Sequence, residues 1–416
     1  MYKLNNCVQH YDWGSFTALT EHFGYANVDR LPMAEVWMGA HSSASSRLWD
    51  QGEWKSLAAE ITAHPIAMLG QVTYERFHQL PFLLKLLAAE KPLSIQVHPT
   101  KLAAQQGFAR EDSLGIPLNH PSRNYRDTNH KPEVIYALTP FKALNGFKSF
   151  GKIAQAFQKL EWDHPAVKGF IECPNSKQLR QLFIACLQLA GEEKQRVLTR
   201  LLQSADQQEG VTTQTIQMIA KDWPSDCGLL MPLFLNSIDL RAGEALYLAA
   251  GTPHTYLQGM GVEIMANSDN VLRAGLTTKH IDIDELVANV QFQEKKVEQL
   301  ILGPLVKGNQ FQYPVPAADF SLSIVNLISS VKLTTEGLPQ ILLCLKGTLQ
   351  LISAQQHLTL SLGESVFIPA NQGSYTLTGQ GQGQIALATV GSMVTPTDKV
   401  SLSEEGKRDD LGDFKM

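Results

Sequence analysis

Hydrophobic and polar positions alternate with two periods along this chain, and the change of period divides it. Ser94-Ile95-Gln96-Val97-His98 alternates strictly, which predicts a strand with Ile95 and Val97 on one face and Ser94, Gln96 and His98 on the other. Val134 to Leu138 is an apolar strand opened by Glu133. Between residues 151 and 231 the spacing becomes helical, with Leu179, Leu182, Phe183, Cys186 and Leu187, then Val197, Leu198, Leu201 and Leu202. Residues 1–50 read as short strands and turns, and residues 56–90 as mainly helical. Thr100 is placed to cap a helix of about ten residues running through Ala109. The polar stretch Glu111 to Lys131, rich in Pro, Asn, Arg and Asp, has the length of a functional loop.

A repeat organises the second half. Gly243 to His254 and Gly363 to Ser374 both read Gly-Glu, two residues, an aromatic, an aliphatic, one residue, Ala, at an offset of 120 residues. Each predicts a turn, a short strand and a second turn. Ile341 to Leu351, with Lys346-Gly347-Thr348 at its centre, predicts two strands around a hairpin. Two related β-barrels with a helical insertion account for this pattern economically, so the fold class is mainly β with an α insertion. The expected division is 1–150 and 232–290 for the two parts of a first barrel, and 151–231 for the inserted helical domain. A second barrel, which has Ser374 where the first has His254 and so lacks the metal, takes 291–391, and 392–416 is a polar tail.

Composition narrows the function. The chain has 416 residues, 44% hydrophobic and 18% charged, as for a folded globular protein of two or three domains. A net charge of -5 without any basic block argues against nucleic-acid binding. The N-terminal residues lack the apolar run of a secretory signal, and no apolar segment has the length of a membrane span. Five widely spaced cysteines without a C-x-x-C pair read as reduced thiols in a cytoplasmic protein.

The candidate chemistry begins at the Gln96/His98 face. With Glu133, after His130-Lys131-Pro132, and His254, after Gly251-Thr252-Pro253, these residues form a mixed nitrogen and oxygen set suited to a divalent metal, zinc above others. Two imidazoles, one amide and one carboxylate leave a bound zinc ion at net +1. Such a centre suits polarising a substrate oxygen better than stapling a fold.

At these residues the sequence resembles the type I phosphomannose isomerases. The resemblance is carried by Gln9 to Ser15 (QHYDWGS), Ala34 to His41 (AEVWMGAH), Pro92 to Pro99 (PLSIQVHP), Asn129 to Glu133 (NHKPE), Gly251 to His254 (GTPH) and Glu263 to Thr277 (EIMANSDNVLRAGLT). It implies two cupin-type barrels (jelly rolls) with a helical insertion, and reversible interconversion of mannose 6-phosphate and fructose 6-phosphate. It also implies one zinc ion on Gln96, His98, Glu133 and His254, and a catalytic arginine at Arg273. An aldose–ketose interconversion moves a proton between C1 and C2 through an enediol or enediolate, which needs a proton carrier. Glu263, Lys131, His130 and Asp269 are the candidates. Lys85 and Ser94 are candidates for the phosphate or a hydroxyl, and Trp13 for a pocket wall. The expected partner is a phosphorylated hexose, bound by a monomer with no membrane or nucleic-acid contact. The competing readings are another metal-dependent cupin enzyme, such as a dioxygenase, and a non-catalytic sugar-binding module.

Overall fold

The structure, a computed structural model, describes residues 1–379 and 382–391; the predicted polar tail lies outside the described residues. Its centre is the long strand His254–Ala266, which pairs antiparallel with four others. Its second half lies between Phe82–Ala89 and Glu133–Ala137. Its first half pairs with Phe141–Phe147 and meets Ile95–Val97 at the pair His254/Gln96. Gly259, at φ +125°, sits where the strand changes partners. A Cβ there would lie 2.7 Å from the Pro140 carbonyl oxygen, so the kink requires glycine. One strand thus carries His254 at one end and Glu263 near the other.

The apolar run Phe82–Ala89, expected to be helical, is a strand buried along its whole length. Short helices do occupy Leu57–Ala63, Pro65–Leu69 and Gln71–Phe77. A run apolar on both faces does not distinguish a buried helix from a central strand. Pairing to His254–Ala266 on one side and Glu35–Met38 on the other decides it. Thr100 does cap its helix, accepting from the Ala103 N–H, but the helix continues to Ser113.

The helical block runs from Phe150–Leu160 through Pro165–Glu172, Ser176–Leu187, Gly191–Gln207 and Val211–Ala220 to Met231–Phe234. Leu179, Leu182, Phe183 and Cys186 face inward, as do Val197, Leu198 and Leu201. Their core also holds Ile95, Val97, Leu272, Ala274 and Leu276. The apolar face of the Gln96 strand is therefore packed on the insert, which leaves Gln96 on the opposite face.

Residues 305–389 form a second β region with a core between two sheets. Gln340–Lys346 and Leu349–Ile352 are both strands, yet they do not pair as the expected hairpin. The first lies in a nine-stranded sheet and the second in a four-stranded one. Gly347, at φ +81°, turns the chain from one sheet to the other, because Leu342 and Cys344 must face Leu349 and Leu351 across the core. The repeat is borne out in its local form. Ala245–Leu248 and Ser365–Ile368 are strands, and the next strand begins at His254 in one copy and at Ser374 in the other. The nine-stranded sheet also crosses the expected division between 1–150 and 291–391, since Tyr2–Asn5 pairs with Ser365–Ile368 and with Arg47–Asp50. All five cysteines are free, and no helix among the described residues is long and apolar enough to cross a membrane.

Phe234 joins the insert to the β region, with its ring 4.8 Å from that of Phe157 in the insert and 6.5 Å from that of Phe147 in the strand Phe141–Phe147. Phe234→Ala should cost about 3–5 kcal/mol in chemical denaturation, the range for emptying a buried aromatic site.

Candidate metal centre and substrate cleft

Three of the predicted ligands meet. His98 follows Ile95–Val97, Glu133 opens Glu133–Ala137, and His254 opens His254–Ala266, so each stands at a strand end beside the others. Glu133 Oε2 is 3.4 Å from His98 Nε2 and 3.5 Å from His254 Nε2. One ligand atom from each residue falls within 4.8 Å of the other two, and all three residues are buried.

The outer nitrogens fix the inner ones. His98 Nδ1 is 2.8 Å from the Asn270 carbonyl oxygen, and His254 Nδ1 is 2.8 Å from that of Thr252. A carbonyl only accepts, so each Nδ1 carries the proton and each neutral ring turns an Nε2 lone pair toward Glu133. Burial holds His98 in the neutral form, with its pKa lowered to about 4 against the pull of Glu133. Its Nε2 is buried without any hydrogen-bond partner. Burial alone would raise the pKa of Glu133, but the Lys131 ammonium beside it holds it well below the usual range. An anion facing two lone pairs, one of them orphaned, fits a cation such as zinc.

Gln96 is opposite His254 and Arg273 in register. Its amide Nε2 donates to Ser94 Oγ at 3.2 Å, which leaves Oε1 free to ligate. Gln96 also lines a cleft of about 710 Å³. Lys131, whose ammonium is 3.2 Å from Glu133 Oε1, lines the same cleft, so Gln96 and Lys131 link the cleft to the metal cluster. Trp13, Ser94, Lys85, Asp269 and Arg273 are further cleft residues, and Trp13 is stacked on Tyr11 at 5.7 Å.

Two candidates are placed differently. Glu263 is not on the cleft wall; its Oε2 accepts from Lys85 at 2.9 Å and its Oε1 from the Tyr256 hydroxyl at 2.8 Å. Burial raises its pKa, with Lys85 opposing. His130 turns outward, with Nε2 2.8 Å from Asp319 Oδ2. Lys85 falls within residues 56–90, expected to be mainly helical, but it is on a strand. It lies mid-strand, bonded to Glu263 and at 3.3 Å to Glu35, and these carboxylates raise its pKa against burial.

Several cleft residues had no role in the sequence reading. Glu35 and Trp37 are two apart on one strand face, and Trp37 Nε1 donates to Glu35 Oε2 at 2.6 Å. The same alternation that singled out Gln96 and His98 would have found them. His41 is buried, with Nε2 3.4 Å from Asp269 Oδ1 and its ring edge-on to Trp37. The Ser43 N–H donates to His41 Nδ1, so the neutral ring carries its proton on Nε2, toward Asp269. Burial would raise the pKa of Asp269, but the His41 N–H, with the charges of Lys131 and Arg126, lowers it. Arg126 and Lys279 complete a cationic end of the cleft with Arg273. Burial and neighbouring cations lower the pKa of both Arg273 and Lys279, and no acid offsets either.

Comparison with known proteins gives a consistent picture. Residues 1–150 match the family described as "Phosphomannose isomerase type I, catalytic domain", residues 156–235 its helical insertion domain, and residues 309–389 "Mannose-6-phosphate isomerase, cupin domain". The chain is 46% identical to mannose-6-phosphate isomerase of Escherichia coli (strain K12), over 92% of this chain and 98% of that one. It is 47% identical to mannose-6-phosphate isomerase of Salmonella typhimurium over the same shares. A solved zinc-bound mannose 6-phosphate isomerase superposes with a TM-score of 0.90 at 46% identity, covering 94% of this chain and 99% of that one.

Lys85 is the cation that lets Glu35 and Glu263 stay buried side by side. Lys85→Met should destabilise the fold by about 3–5 kcal/mol in urea denaturation, as for a buried pair that loses one partner. Adding Glu263→Gln should recover part of that loss.

Proposed function

We propose that this chain, which belongs to the type I phosphomannose isomerase family, interconverts mannose 6-phosphate and fructose 6-phosphate using one zinc ion. Gln96, His98, Glu133 and His254 would hold the ion. The observation that carries the reading is the pair of imidazole lone pairs aimed at a buried carboxylate beneath a cleft whose far end is cationic. Bound zinc supplies a Lewis acid for the sugar oxygens at C1 and C2.

The chain's own residues do the rest. Arg126, Arg273 and Lys279 form no ion pair with a carboxylate among the described residues, and they receive the phosphate. Lys85 is less suited to that task, because its charge is already spent on two carboxylates. Arg273, opposite Gln96 on the adjacent strand, steadies negative charge on the enediolate oxygens. Its guanidinium stays protonated and does not act as a base. Of the four proton-carrier candidates, Lys131 and Asp269 are on the cleft wall. Asp269 is the base: its carboxylate, kept ionised by His41, takes the proton from C2 of mannose 6-phosphate and returns it to C1. Lys131 donates to the sugar oxygen as charge builds. Ser94 holds Gln96 in its ligating rotamer, and Trp13 shields one wall of the cleft from water.

A coupled assay for fructose 6-phosphate tests the reading. Activity should vanish on dialysis against a chelator and return with zinc, and C2 deuterium should wash out during turnover. Asp269→Asn should lower kcat by roughly 10²–10⁴-fold, the usual contribution of a positioned base, with zinc content unchanged. Lys279→Ala should instead raise KM for mannose 6-phosphate by about tenfold, one charge-assisted contact's worth, and leave kcat near the parent value.

A further inference from the structure

The C-terminal region carries no ligand for the ion, yet it reaches the residues that do. Asp319 precedes the strand Ser321–Leu327 of that region. Its side chain is 5% exposed, and its one ion-pair partner among the described residues is His130 Nε2, at 2.8 Å. His130 lies three residues before Glu133 and one before Lys131. The contact ties two distant parts of the chain together at the lead-in to a metal ligand.

The strand that follows is shared in the same way. Ile135 and Ala137 lie on the Glu133 face, in the core behind the cleft. Val134 and Tyr136 lie on the other face, in one core with Tyr313, Phe320, Leu322 and Ile324 of the C-terminal region. The Tyr136 and Tyr313 rings are 5.5 Å apart, and the Tyr313 hydroxyl donates to the Gly243 carbonyl at 2.9 Å. Asn129 anchors the other end of the lead-in, accepting from Lys101 Nζ at 2.6 Å and donating to the Asn267 carbonyl at 3.1 Å. Between that anchor and the strand, His130 is the residue gripped from the C-terminal side.

We infer that Asp319 is a positioning residue of the metal centre: through His130 it fixes the segment 130–133, so that Glu133 meets the ion and Lys131 meets the cleft in a single geometry. The inference rests on the zinc reading above and assigns the C-terminal region the part of a back plate to the site. A carboxylate is suited to the task because it accepts from an imidazole whether that ring is neutral or charged, and its burial keeps water from competing.

The test compares the parent with Asp319→Ala, Asp319→Asn, His130→Ala and the double alanine variant, each loaded with zinc. Transfer of zinc to a chromogenic chelator is timed, and kcat and KM are measured. Asp319→Ala and His130→Ala should each hasten zinc loss by roughly threefold to tenfold. That is below the tenfold-to-hundredfold effect of removing a group bonded directly to a ligand, because this contact acts through three residues of chain. Both should lower kcat with KM nearly unchanged. The double variant should lose zinc no faster than either single one, since both remove the same contact, and Asp319→Asn, which keeps an acceptor, should stay close to the parent. Zinc loss at the parent's rate in Asp319→Ala, or additive effects in the double variant, would overturn the inference. So would His130→Ala that lowers kcat while holding zinc as firmly as the parent, because His130 would then be acting on the substrate. If Asp319→Ala does not fold, His130→Ala alone must show the faster loss. A parent that binds no zinc refutes the functional reading, whereas a zinc-holding, active parent matched by its variants refutes this inference alone.

Discussion

Glu133 is buried against two imidazole nitrogens that cannot give it a proton. Each ring has its N–H committed to a backbone carbonyl on the far side, so the near side offers only lone pairs, at 3.4 and 3.5 Å. Three acceptors converging in a site shut off from water repel one another strongly. A divalent cation converts that repulsion into ligation. The carbonyls of Asn270 and Thr252 therefore matter as much as the rings, because they decide which nitrogen faces inward. Both belong to turns held in place: Asn270 accepts from the Arg126 N–H and donates to Asp127 and Asn129, and Thr252 lies in the Gly-Thr-Pro turn before His254.

The charges behind the ligands are arranged so that the ion keeps its electrophilic character. Lys131 pairs with Glu133, and Lys85 lies between Glu35 and Glu263, so three carboxylates face two ammonium groups. One negative charge is left over, and a divalent ion leaves one positive charge. Under the proposed isomerisation that surplus would suit a developing enediolate, and the cationic end of the cleft would add attraction for a phosphorylated sugar at longer range. A second uncompensated carboxylate in this layer would weaken the ion as a Lewis acid. Both Glu35 and Glu263 accordingly have neutral donors as well, the Trp37 indole and the Tyr256 hydroxyl.

Much of this was legible in the sequence, because the ligand strands obey a period of two. Ile95 and Val97 on one side and Gln96 on the other is a pattern with few alternatives, and the helical period of residues 151–231 is equally plain. The run Phe82–Ala89 was illegible for the opposite reason. Buried on both faces, it has no alternation to read, and only its partners across the sheet make it a strand. The place of Lys85 was lost with it. The separation of Gln340–Lys346 from Leu349–Ile352 was hidden because Gly347 is compatible with a hairpin or with a change of sheet. The meeting of His41 with Asp269, or of His130 with Asp319, joins residues 228 and 189 positions apart. No local period reports such a contact.

The repeated turn–strand–turn shows how the same local sequence serves two ends. In the first copy the strand Ala245–Leu248 pairs with Glu133–Ala137, and the chain returns through Gly-Thr-Pro to present a buried imidazole at His254. In the second, Ser365–Ile368 pairs with Tyr2–Asn5, and the chain returns to Ser374, which is exposed and offers no ligand. Freed from coordination, the second copy spends its apolar strands on packing. Tyr313, Phe320 and Leu322 of the same region then lie against the back of the strand that Glu133 opens. A single strand so placed has its polar end fixed by the ion and its apolar face fixed by a neighbouring domain. The metal cluster and the interface behind it thus share one strand, with the C-terminal region packed on its apolar face.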